Sequence, residues 1–312
     1  MSVLVTGSLA LDHIMVFPDR FKHHILPDRI HILNVAFHVP TLRRNYGGTA
    51  GNIAFCLRLL GEAPLVLATA GSDFGPYAEW MDRHGIRRHA IRILDDELTA
   101  QCFITTDLDD NQIIAFHPGA MDRAHEAPVS AVSEPLRAAI VSSNQKRAML
   151  EHARSLKAQG VPTVIDPSHQ LPVFSREELL ALLDGAEVYV ANDYEWALTL
   201  KQAEASEEEI VARVGTVVVT RGAEGSTLLT REGRLDVAPV KAEQVVDPTG
   251  CGDAYRAGLL YAMARGLPLA LGARVGSLLG ALVVAVQGPQ GLALSPEEVR
   301  ARYAREFGEA LA

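Results

Sequence analysis

Five short apolar runs, each followed at once by a small or polar residue, most constrain the fold of this chain. The runs are rich in Val, Ile and Leu and, with those residues, occupy positions 3–8, 65–71, 161–167, 188–193 and 217–222. Continuous rather than alternating apolar runs predict strands that are buried on both faces of a sheet. Helical patterns separate the runs, which predicts an α/β fold with a mainly parallel central sheet flanked by helices. Ligands bind such sheets at the carboxyl ends of the strands, so the residues that follow the runs are the candidate site.

Two stretches, residues 9–46 and 98–118, interrupt this rhythm. The first contains strand-like pieces such as residues 30–39, and the second is typical of a hairpin around the polar turn at 107–111. Together they predict a small β-sheet lid beside the central sheet. No low-complexity linker separates this lid, so we expect one domain over residues 1–312 with the lid inserted in it.

Composition excludes several classes of partner. The formal net charge is −9 and no basic run is present, which argues against nucleic acid and anionic membranes as partners. The apolar stretch at residues 275–286 is too short to span a bilayer and is typical of a buried helix.

The three cysteines, Cys56, Cys102 and Cys251, are far apart and predict no disulfide framework. With no secretory signal evident at the first residues, we expect a cytoplasmic protein.

The strongest motif is the segment Asp247-Pro-Thr-Gly-Cys-Gly-Asp253. We expect a strand to end at Asp247 and a helix to run from about Gly252 to Arg265, with Gly266 as its C-cap. Small residues at such a helix start let backbone N–H groups approach an anion, and the helix dipole adds partial positive charge. Phosphoryl transfer requires such a cradle, since charge spreads over the oxygens of the transferred group. The predicted anion hole consists of Gly250, Cys251 and Gly252.

Asp253 would lie in the first turn of that helix, where its carboxylate can accept the proton of an attacking hydroxyl. The ordinary alternative is a strand, a turn and a helix whose acidic first turn complements the helix dipole. For a lone Gly-x-Gly that alternative would be preferred. The catalytic interpretation of Asp253 therefore depends on the other motifs in the chain.

A second candidate lies at residues 47–52, where two glycines precede a helical pattern that Gly61 closes. Asn52, near the start of this predicted helix, can both donate to and accept from a substrate hydroxyl. An ordinary helix N-terminus explains the segment equally well when it is taken alone.

Two weaker motifs follow predicted strands. Asn192 and Glu195 are three residues apart, so they share one helical face and can orient water around Mg²⁺. Thr220-Arg-Gly222-Ala-Glu-Gly225 predicts a turn whose glycines let a nucleotide lie against the backbone. Neither motif is specific by itself.

Taken in order, the four motifs resemble those of the ribokinase-like, or PfkB, family of carbohydrate and nucleoside kinases, and the resemblance covers nearly the whole chain. Residues 247–253 are similar to the family's D-T-x-G-A-G-D signature, with Cys251 where alanine is usual. Residues 47–52 are similar to its G-G-x-x-x-N signature. Asn192-x-x-Glu195 resembles its N-x-x-E magnesium motif, and residues 220–225 resemble its T-x-G-x-x-G nucleotide loop.

This resemblance implies ATP as co-substrate and Mg²⁺ as cofactor, with Glu195 holding the metal through water. K⁺ is a further candidate cofactor. The residues that the resemblance assigns to ATP are Asn192, Thr220, Gly222, Gly225 and Gly252.

Within the family, the chain is most similar to bacterial adenosine kinases of mycobacterial type, through segments such as residues 5–13, 166–171 and 192–196. That similarity implies a homodimer joined through the lid. It also implies that Asp12 and Asn52 hold ribose hydroxyls, that Ser8 and Gly48 line the same pocket, and that Phe116 stacks on adenine.

Two positions depart from this pattern. Ala36 stands where a serine that contacts the nucleoside is expected. Cys102 stands where a second adenine-stacking aromatic residue is expected, with Phe103 beside it. These departures bear on the choice of base and leave the kinase motifs intact.

The expected activity is adenosine 5′-phosphorylation by MgATP to give AMP and ADP, a purine-salvage reaction with Asp253 as the base. One alternative is a PfkB-family sugar kinase of the ribokinase or fructokinase type, which would use the same hydroxyl-binding residues. A phosphosugar acceptor would require extra Arg or Lys residues at the pocket, and no clear cluster is visible. Another alternative is a catalytically silent nucleoside-binding protein, against which Asp253 and the Asn192–Glu195 motif argue.

Overall fold

A computed structural model describes residues 2–311 of the protein, and thirteen strands and nine α-helices occur in this range. The strands are β1 (Ser2–Thr6), β2 (Ala10–Val16), β3 (Thr41–Gly47), β4 (Pro64–Gly71), β5 (Arg87–Leu94), β6 (Ala100–Thr106), β7 (Gln112–His117), β8 (Leu136–Ser142), β9 (Thr163–Asp166), β10 (Val188–Asn192), β11 (Thr216–Thr220), β12 (Ser226–Thr230) and β13 (Gly233–Val237). The helices are α1 (Thr49–Leu59), α2 (Gly75–Arg83), α3 (Lys146–Ala158), α4 (Arg176–Leu183), α5 (Asp193–Ala203), α6 (Glu207–Arg213), α7 (Cys251–Arg265), α8 (Leu269–Val283) and α9 (Pro296–Phe307).

Nine strands form the central sheet, in the order β13-β12-β11-β10-β9-β8-β1-β4-β5. The pairs from β11 to β5 are parallel, and β12 and β13 add an antiparallel edge. All five apolar runs that the sequence singled out are strands of this sheet, namely β1, β4, β9, β10 and β11. The prediction of a mainly parallel sheet is therefore confirmed.

Helices cover both faces of this sheet. In β1, Val3 and Val5 pack into a core formed with α1, α2, α7, α8 and α9, whereas Leu4 packs into a second core with α3 to α6. This alternation follows from the two-residue period of a strand. The predicted buried helix around residues 275–286 is present as part of α8. Among residues 2–311, no helix has the length and apolar character needed to cross a membrane.

The small sheet has the order β3-β2-β6-β7, and its strands coincide with the two stretches that interrupt the βαβ rhythm, except that β3 extends one residue further, to Gly47. The predicted lid sheet is thereby confirmed. The strand-like interpretation of residues 30–39 was wrong, because residues 27–32 form a 3₁₀-helix and no strand follows before β3. Phe37 instead packs against Phe17 and Phe21, with ring centroids 4.8 and 4.9 Å apart, which draws this segment into a local aromatic cluster.

Candidate active site

Asp253 lies in the first turn of α7, which begins at Cys251 and ends at the left-handed C-cap Gly266, as predicted. Gly250 precedes the helix with φ of +83°, and a Cβ there would lie 2.5 Å from the Cβ of Pro289, so only glycine fits. The first N–H groups of a helix have no acceptor inside it. The Cys251 N–H makes a long contact, 3.3 Å, with the Pro248 carbonyl. The start of α7 is therefore built to receive an anion.

Asp247 does not end a strand, which corrects the expectation from the sequence. Residues 238–248 form a loop between β13 and α7, in which the Asp247 N–H donates to the Val284 carbonyl at 3.1 Å. The Asp247 carboxylate accepts from Thr249 N at 2.9 Å and from Gly288 N at 3.0 Å. The side chain of Asp247 thus holds the turn before α7 against the loop that follows α8.

The carboxylate of Asp253 accepts a 2.8 Å hydrogen bond from Asn52 Nδ2. The pKa of Asp253 is raised to about 6, chiefly by burial; Arg256 and the Asn52 hydrogen bond oppose this rise, and the charges of Asp166 and Asp12 contribute to it. A carboxyl group with a pKa near the working pH combines the ionised form with real affinity for a proton. Asp253 is therefore suited to act as a general base.

Arg256, one helical turn after Asp253, was not identified from the sequence. It is buried and donates from Nη2 to Asp166 Oδ1 at 2.6 Å, and Ser142 Oγ donates to Asp166 Oδ2 at the same distance. A Cβ on Gly252 would lie 2.6 Å from Arg256 Nη1, so the guanidinium packs against the anion-binding turn. Its positive charge therefore lies beside the start of α7.

Ser8, Gly48 and Asn52 lie together around the start of α1. Ser8 Oγ accepts from Thr49 N at 3.1 Å, and Asn52 is buried beside Asp253. Gly48 has φ of +83°, and a Cβ there would lie 2.5 Å from the Ser8 carbonyl oxygen. The structure thus brings three of the predicted acceptor-binding residues together at the start of α1, and one of them, Asn52, contacts the candidate base.

Asp12 and Phe116 lie on one face of the lid sheet. Cross-strand partners in this row are Asn45, Asp12, Cys102 and Phe116, in that order from β3 to β7. Burial, followed by the charge of Asp247, raises the pKa of Asp12 to about 6. Phe116 is 49% exposed, at the far end of the row from Asn45.

Phe103 cannot substitute for the aromatic residue absent at position 102, because neighbouring residues of a strand point to opposite faces. Its ring stacks on His13 with centroids 4.6 Å apart, on the lid face opposite Asp12. We call the lid face that carries Asp12 the pocket face. In this row it has one aromatic side chain, Phe116.

A cavity of about 730 Å³ lies beside the anion-binding turn, and its size lies within the range typical of small-molecule sites. Its wall includes several of the predicted nucleotide-binding and anion-hole residues: Thr220, Gly222, Gly225, Cys251 and Gly252. A Cβ on Gly225 would lie 2.3 Å from the Val237 carbonyl oxygen, and its φ is +87°. The T-x-G-x-x-G segment therefore does form the close turn that was predicted.

Asn192 and Glu195 form a capping box at the start of α5, a structural role that was not predicted for this pair. Asn192 Oδ1 accepts from Glu195 N at 2.7 Å, and Glu195 Oε2 accepts from Asn192 N at 2.9 Å. Asn192 pairs with Thr220 across the sheet, so Asn192 and Glu195 border the cavity without lining it. One oxygen of Glu195, Oε1, remains available for water.

No group of three or more His, Cys, Asp or Glu residues in the described part of the chain forms a direct metal cage. Mg²⁺ retains several of its own waters and is held chiefly by one or two carboxylates and by substrate phosphates. A single available carboxylate oxygen on Glu195 fits such a water-mediated site.

Capping boxes also begin α4, α6 and α9, at Ser175, Ser206 and Ser295. The acidic residues in the first turns of these helices complement the helix dipoles. None of the three serines lines the cavity.

A parallel α/β sheet with an anion-binding helix start, a buried aspartate beside it and a β-sheet lid defines a phosphotransferase of the ribokinase-like fold. The profile of the pfkB family of carbohydrate kinases matches residues 7–296. The chain belongs to this family, and it is an ATP-dependent phosphotransferase with an alcohol group as acceptor.

Solved structures and curated relatives agree with this assignment. The nucleoside kinase of Burkholderia thailandensis in complex with inosine is 42% identical, with 99% of each chain covered and a TM-score of 0.89. The same enzyme in complex with ADP-inosine is 44% identical, with 99% of this chain and 97% of that chain covered and a TM-score of 0.86. The nucleoside kinase of Methanocaldococcus jannaschii is 29% identical over 92% of both chains.

Proposed function

We propose that the protein is a nucleoside kinase that transfers the γ-phosphate of ATP to the ribose 5′-hydroxyl, with adenosine as an acceptor. The observation that carries this proposal is the position of Asp253, in the first turn of α7 and within 2.8 Å of Asn52. A base, a hydroxyl-binding amide and an anion-binding helix start thus lie within one turn of each other. The relatives that bear the name nucleoside kinase support the choice of acceptor class.

In the proposed reaction, Asp253 accepts the proton of the 5′-hydroxyl as the hydroxyl oxygen attacks the γ-phosphorus. The bond from that phosphorus to the bridging oxygen of ADP breaks, and ADP leaves with the electron pair. Backbone N–H groups at 250–252 and the positive end of the α7 dipole stabilise the transferring group. Arg256, which lies against Gly252, adds a full positive charge beneath it.

The acceptor would lie between the lid and the start of α1. Asp12 and Asn52 can each hold a ribose hydroxyl, and Ser8 and Gly48 form the floor of the same pocket. Phe116 would then stack on the base. A closed lid would exclude water from the reacting groups and limit ATP hydrolysis.

On the ATP side, the cavity beside β11 would hold the adenosine part of the nucleotide through Thr220, Gly222 and Gly225. Asn192 and Glu195 would order the water around Mg²⁺. When bound, Mg²⁺ neutralises charge on the β- and γ-phosphates. K⁺ is a candidate activator of the proposed reaction.

The lid favours a nucleoside over a free sugar. Its pocket face continues beyond Asp12 with three further apolar side chains, Ile14, Ile104 and Ile114, which are cross-strand partners in one row. Together with Phe116, this row offers more apolar surface than a monosaccharide can cover. A flat base attached to the sugar would cover it, which removes apolar surface from water.

The same lid supports a homodimer. All six residues of β7 are exposed, and they form one edge of the small sheet with unpaired backbone groups. Exposed apolar edge strands pair readily with another chain, and a second copy of this lid would cover β7. Light scattering after gel filtration should give twice the 33.7 kDa mass of one chain, and a mass near one chain would contradict the dimer.

An ADP-release assay tests the proposed activity. The acceptors are adenosine, inosine, guanosine, ribose and fructose, each with MgATP. Turnover of the nucleosides with 5′-monophosphate as product supports the proposal. Turnover restricted to ribose or fructose would identify a sugar kinase, and binding of a nucleoside without any turnover would identify a silent binding protein.

A further inference from the structure

Gln290 is a buried side chain, 5% exposed, in the loop between α8 and α9. Its amide makes three hydrogen bonds. Trp80 Nε1 donates to Gln290 Oε1 at 2.9 Å, and Gln290 Nε2 donates to Asn52 Oδ1 at 3.0 Å and to the Tyr77 hydroxyl at 2.7 Å. Gln290 therefore connects α2 and the helix that carries Asn52 through one buried amide.

The orientation of this amide is fixed by its partners. An indole N–H can only donate, so the oxygen of the Gln290 amide must face Trp80. Tyr77 uses its single proton in a 2.9 Å hydrogen bond to the Gly47 carbonyl, so its oxygen must accept from Gln290. Either the contact with Trp80 or the contact with Tyr77 would by itself identify the nitrogen end of the Gln290 amide, and both identify the same end.

The orientation of Asn52 follows from that of Gln290. Because Gln290 presents N–H to Asn52, the carbonyl oxygen of Asn52 faces Gln290 and its Nδ2 faces Asp253. A flipped Asn52 amide would place its oxygen against the Asp253 carboxylate and its N–H against another N–H. Trp80, Gln290, Asn52 and Asp253 therefore form a chain of hydrogen bonds in which each group donates to the next. We call this chain the relay.

The glycine at position 51 is a second sign that the relay is built into the fold. A Cβ at Gly51 would lie 1.9 Å from the Tyr77 hydroxyl and 3.1 Å from Gln290 Nε2. Any side chain there would displace both groups. Gly51 lies in the signature segment 47–52, so part of that motif accommodates the relay rather than a substrate.

We propose that Gln290 is a positioning residue for catalysis, which acts through Asn52 to keep a hydrogen-bond donor on the Asp253 carboxylate. The inference rests on the proposed role of Asp253 as base. The relay directs the hydroxyl-binding amide of Asn52 and leaves the second oxygen of Asp253 for the substrate proton. A purely structural glutamine would stabilise the loop without changing how Asp253 titrates.

Other groups also set the charge state of Asp253, and they lie on different elements. Arg256 and Asp166 face it from α7 and β9, and Asp12 faces it from the lid. The other groups that interact with it electrostatically are Cys56 on α1, Tyr77 on α2 and Cys251 at the start of α7. Substitutions at Gln290 and Trp80 leave all of these ionisable groups in place, so a changed titration of Asp253 would report the relay.

The test compares Gln290→Met with Trp80→Phe. Gln290→Met keeps the length of the side chain and removes all three hydrogen bonds, whereas Trp80→Phe removes the donor that fixes the amide. We expect kcat/KM to fall about tenfold in Gln290→Met, a part of the ~10²–10⁴-fold that general-base catalysis contributes. Trp80→Phe should lose about two- to threefold. If Gln290→Met does not fold, Trp80→Phe gives the test.

The distinguishing measurement is the titration of Asp253. A hydrogen bond to a carboxylate favours its charged form, so losing the donor should move the acid limb of kcat/KM upward by about one pH unit. The same shift should occur in the carboxyl ¹³C signal of Asp253 in labelled protein without substrate, assigned with Asp253→Asn. Gln287→Met, three residues away on the same loop and exposed, is the matched control: it removes a hydrogen bond from Arg43 of the lid but none of the hydrogen bonds of Gln290, so the Asp253 titration should stay as in the wild type.

A double-mutant cycle completes the test. If Gln290 acts through Asn52, adding Gln290→Met to Asn52→Ala should cost less than about twofold more in kcat/KM. An unchanged Asp253 titration, or losses that multiply in the double mutant, would overturn the relay. The wild-type assay and the ¹³C titration keep the two proposals apart, since a wild type without nucleoside turnover contradicts the function while the ¹³C shift still reports the relay.

Discussion

The start of α7 and the pocket face of the lid differ in how completely the protein itself builds them. Around Asp253, polar side chains are held by buried partners: Asn52 by Gln290, and Arg256 by Asp166, which also accepts from Ser142. On the lid, all six residues of β7 are exposed. The phosphoryl-transfer side is thus organised before substrate arrives, and such preorganised dipoles and charges need no rearrangement during reaction. In the proposed function, a bound acceptor and a second subunit would cover the exposed lid.

This difference predicts two kinds of mutational effect. Substitutions near α7 should lower kcat or destabilise the protein, and substitutions on the lid should change acceptor KM and specificity. The predictions below test that division, from the largest expected effect to the smallest.

Asp253→Asn should reduce kcat by about 10³-fold, within the range that general-base catalysis contributes, while ATP binding stays intact. Because burial raises the pKa of Asp253, its ionised form is unfavourable in the folded protein, and the amide removes that cost. The variant should therefore melt at or above the wild-type temperature at pH 7. Calorimetric titration with ATP and a thermal melt provide the controls, and normal turnover would contradict the role of Asp253.

Arg256→Met should destabilise the protein by about 3–5 kcal/mol, because it leaves the buried Asp166 carboxylate without its charged partner. Loss of the cation also raises the pKa of Asp253, so the acid limb of kcat/KM should move upward. Denaturant unfolding and a pH–rate profile measure the two effects. Arg234→Met, on the exposed edge strand β13, is a matched control that should change stability by less than about 0.5 kcal/mol.

The extent to which these regions could be predicted from the sequence follows the same division. Strands such as β4 and β10 were predicted because both faces are buried and their sequences are continuously apolar. The edge strand β5 was not identified, because exposed residues such as His89 and Arg92 interrupt its pattern. β8 was not identified either, because it contains two adjacent alanines and alanine has a weak strand preference.

Within the site, motif residues such as Asp253 were found because a short segment carries both the helix start and its chemistry. Arg256 could have been found too, since it is the only charged residue between Asp253 and Arg265 in an otherwise apolar helix, and an arginine buried there must be paired. Gln290 could not, because no motif surrounds it and its partners lie on two helices distant in sequence. Such contacts exist only once the chain has folded.

The pH dependence of kcat/KM should depend on one carboxylate from each region, Asp253 at α7 and Asp12 on the lid. The pKa values of Asp253 and Asp12 are each raised to about 6, and both carboxylates must be ionised to accept a hydroxyl proton or hydrogen bond. kcat/KM should therefore rise as pH increases through about 6, and then level off. In Asp12→Asn the rise should become less steep, with one ionisation left. A profile flat between pH 5 and 8 would contradict both assignments.

Phe116→Ala should have the smallest effect, a rise of about five- to tenfold in nucleoside KM with little change in kcat, because stacking on a base contributes about 1–3 kcal/mol. Phe103→Ala is the matched control: Phe103 is also exposed and lies on the adjacent strand, but its ring stacks on His13 on the other face. Its KM should change less than about twofold, since substitutions on that face do not reach the base. Steady-state kinetics with adenosine and inosine measure both. Equal effects of the two substitutions would mean that the lid acts through its fold or its assembly, and that Phe116 does not contact the base.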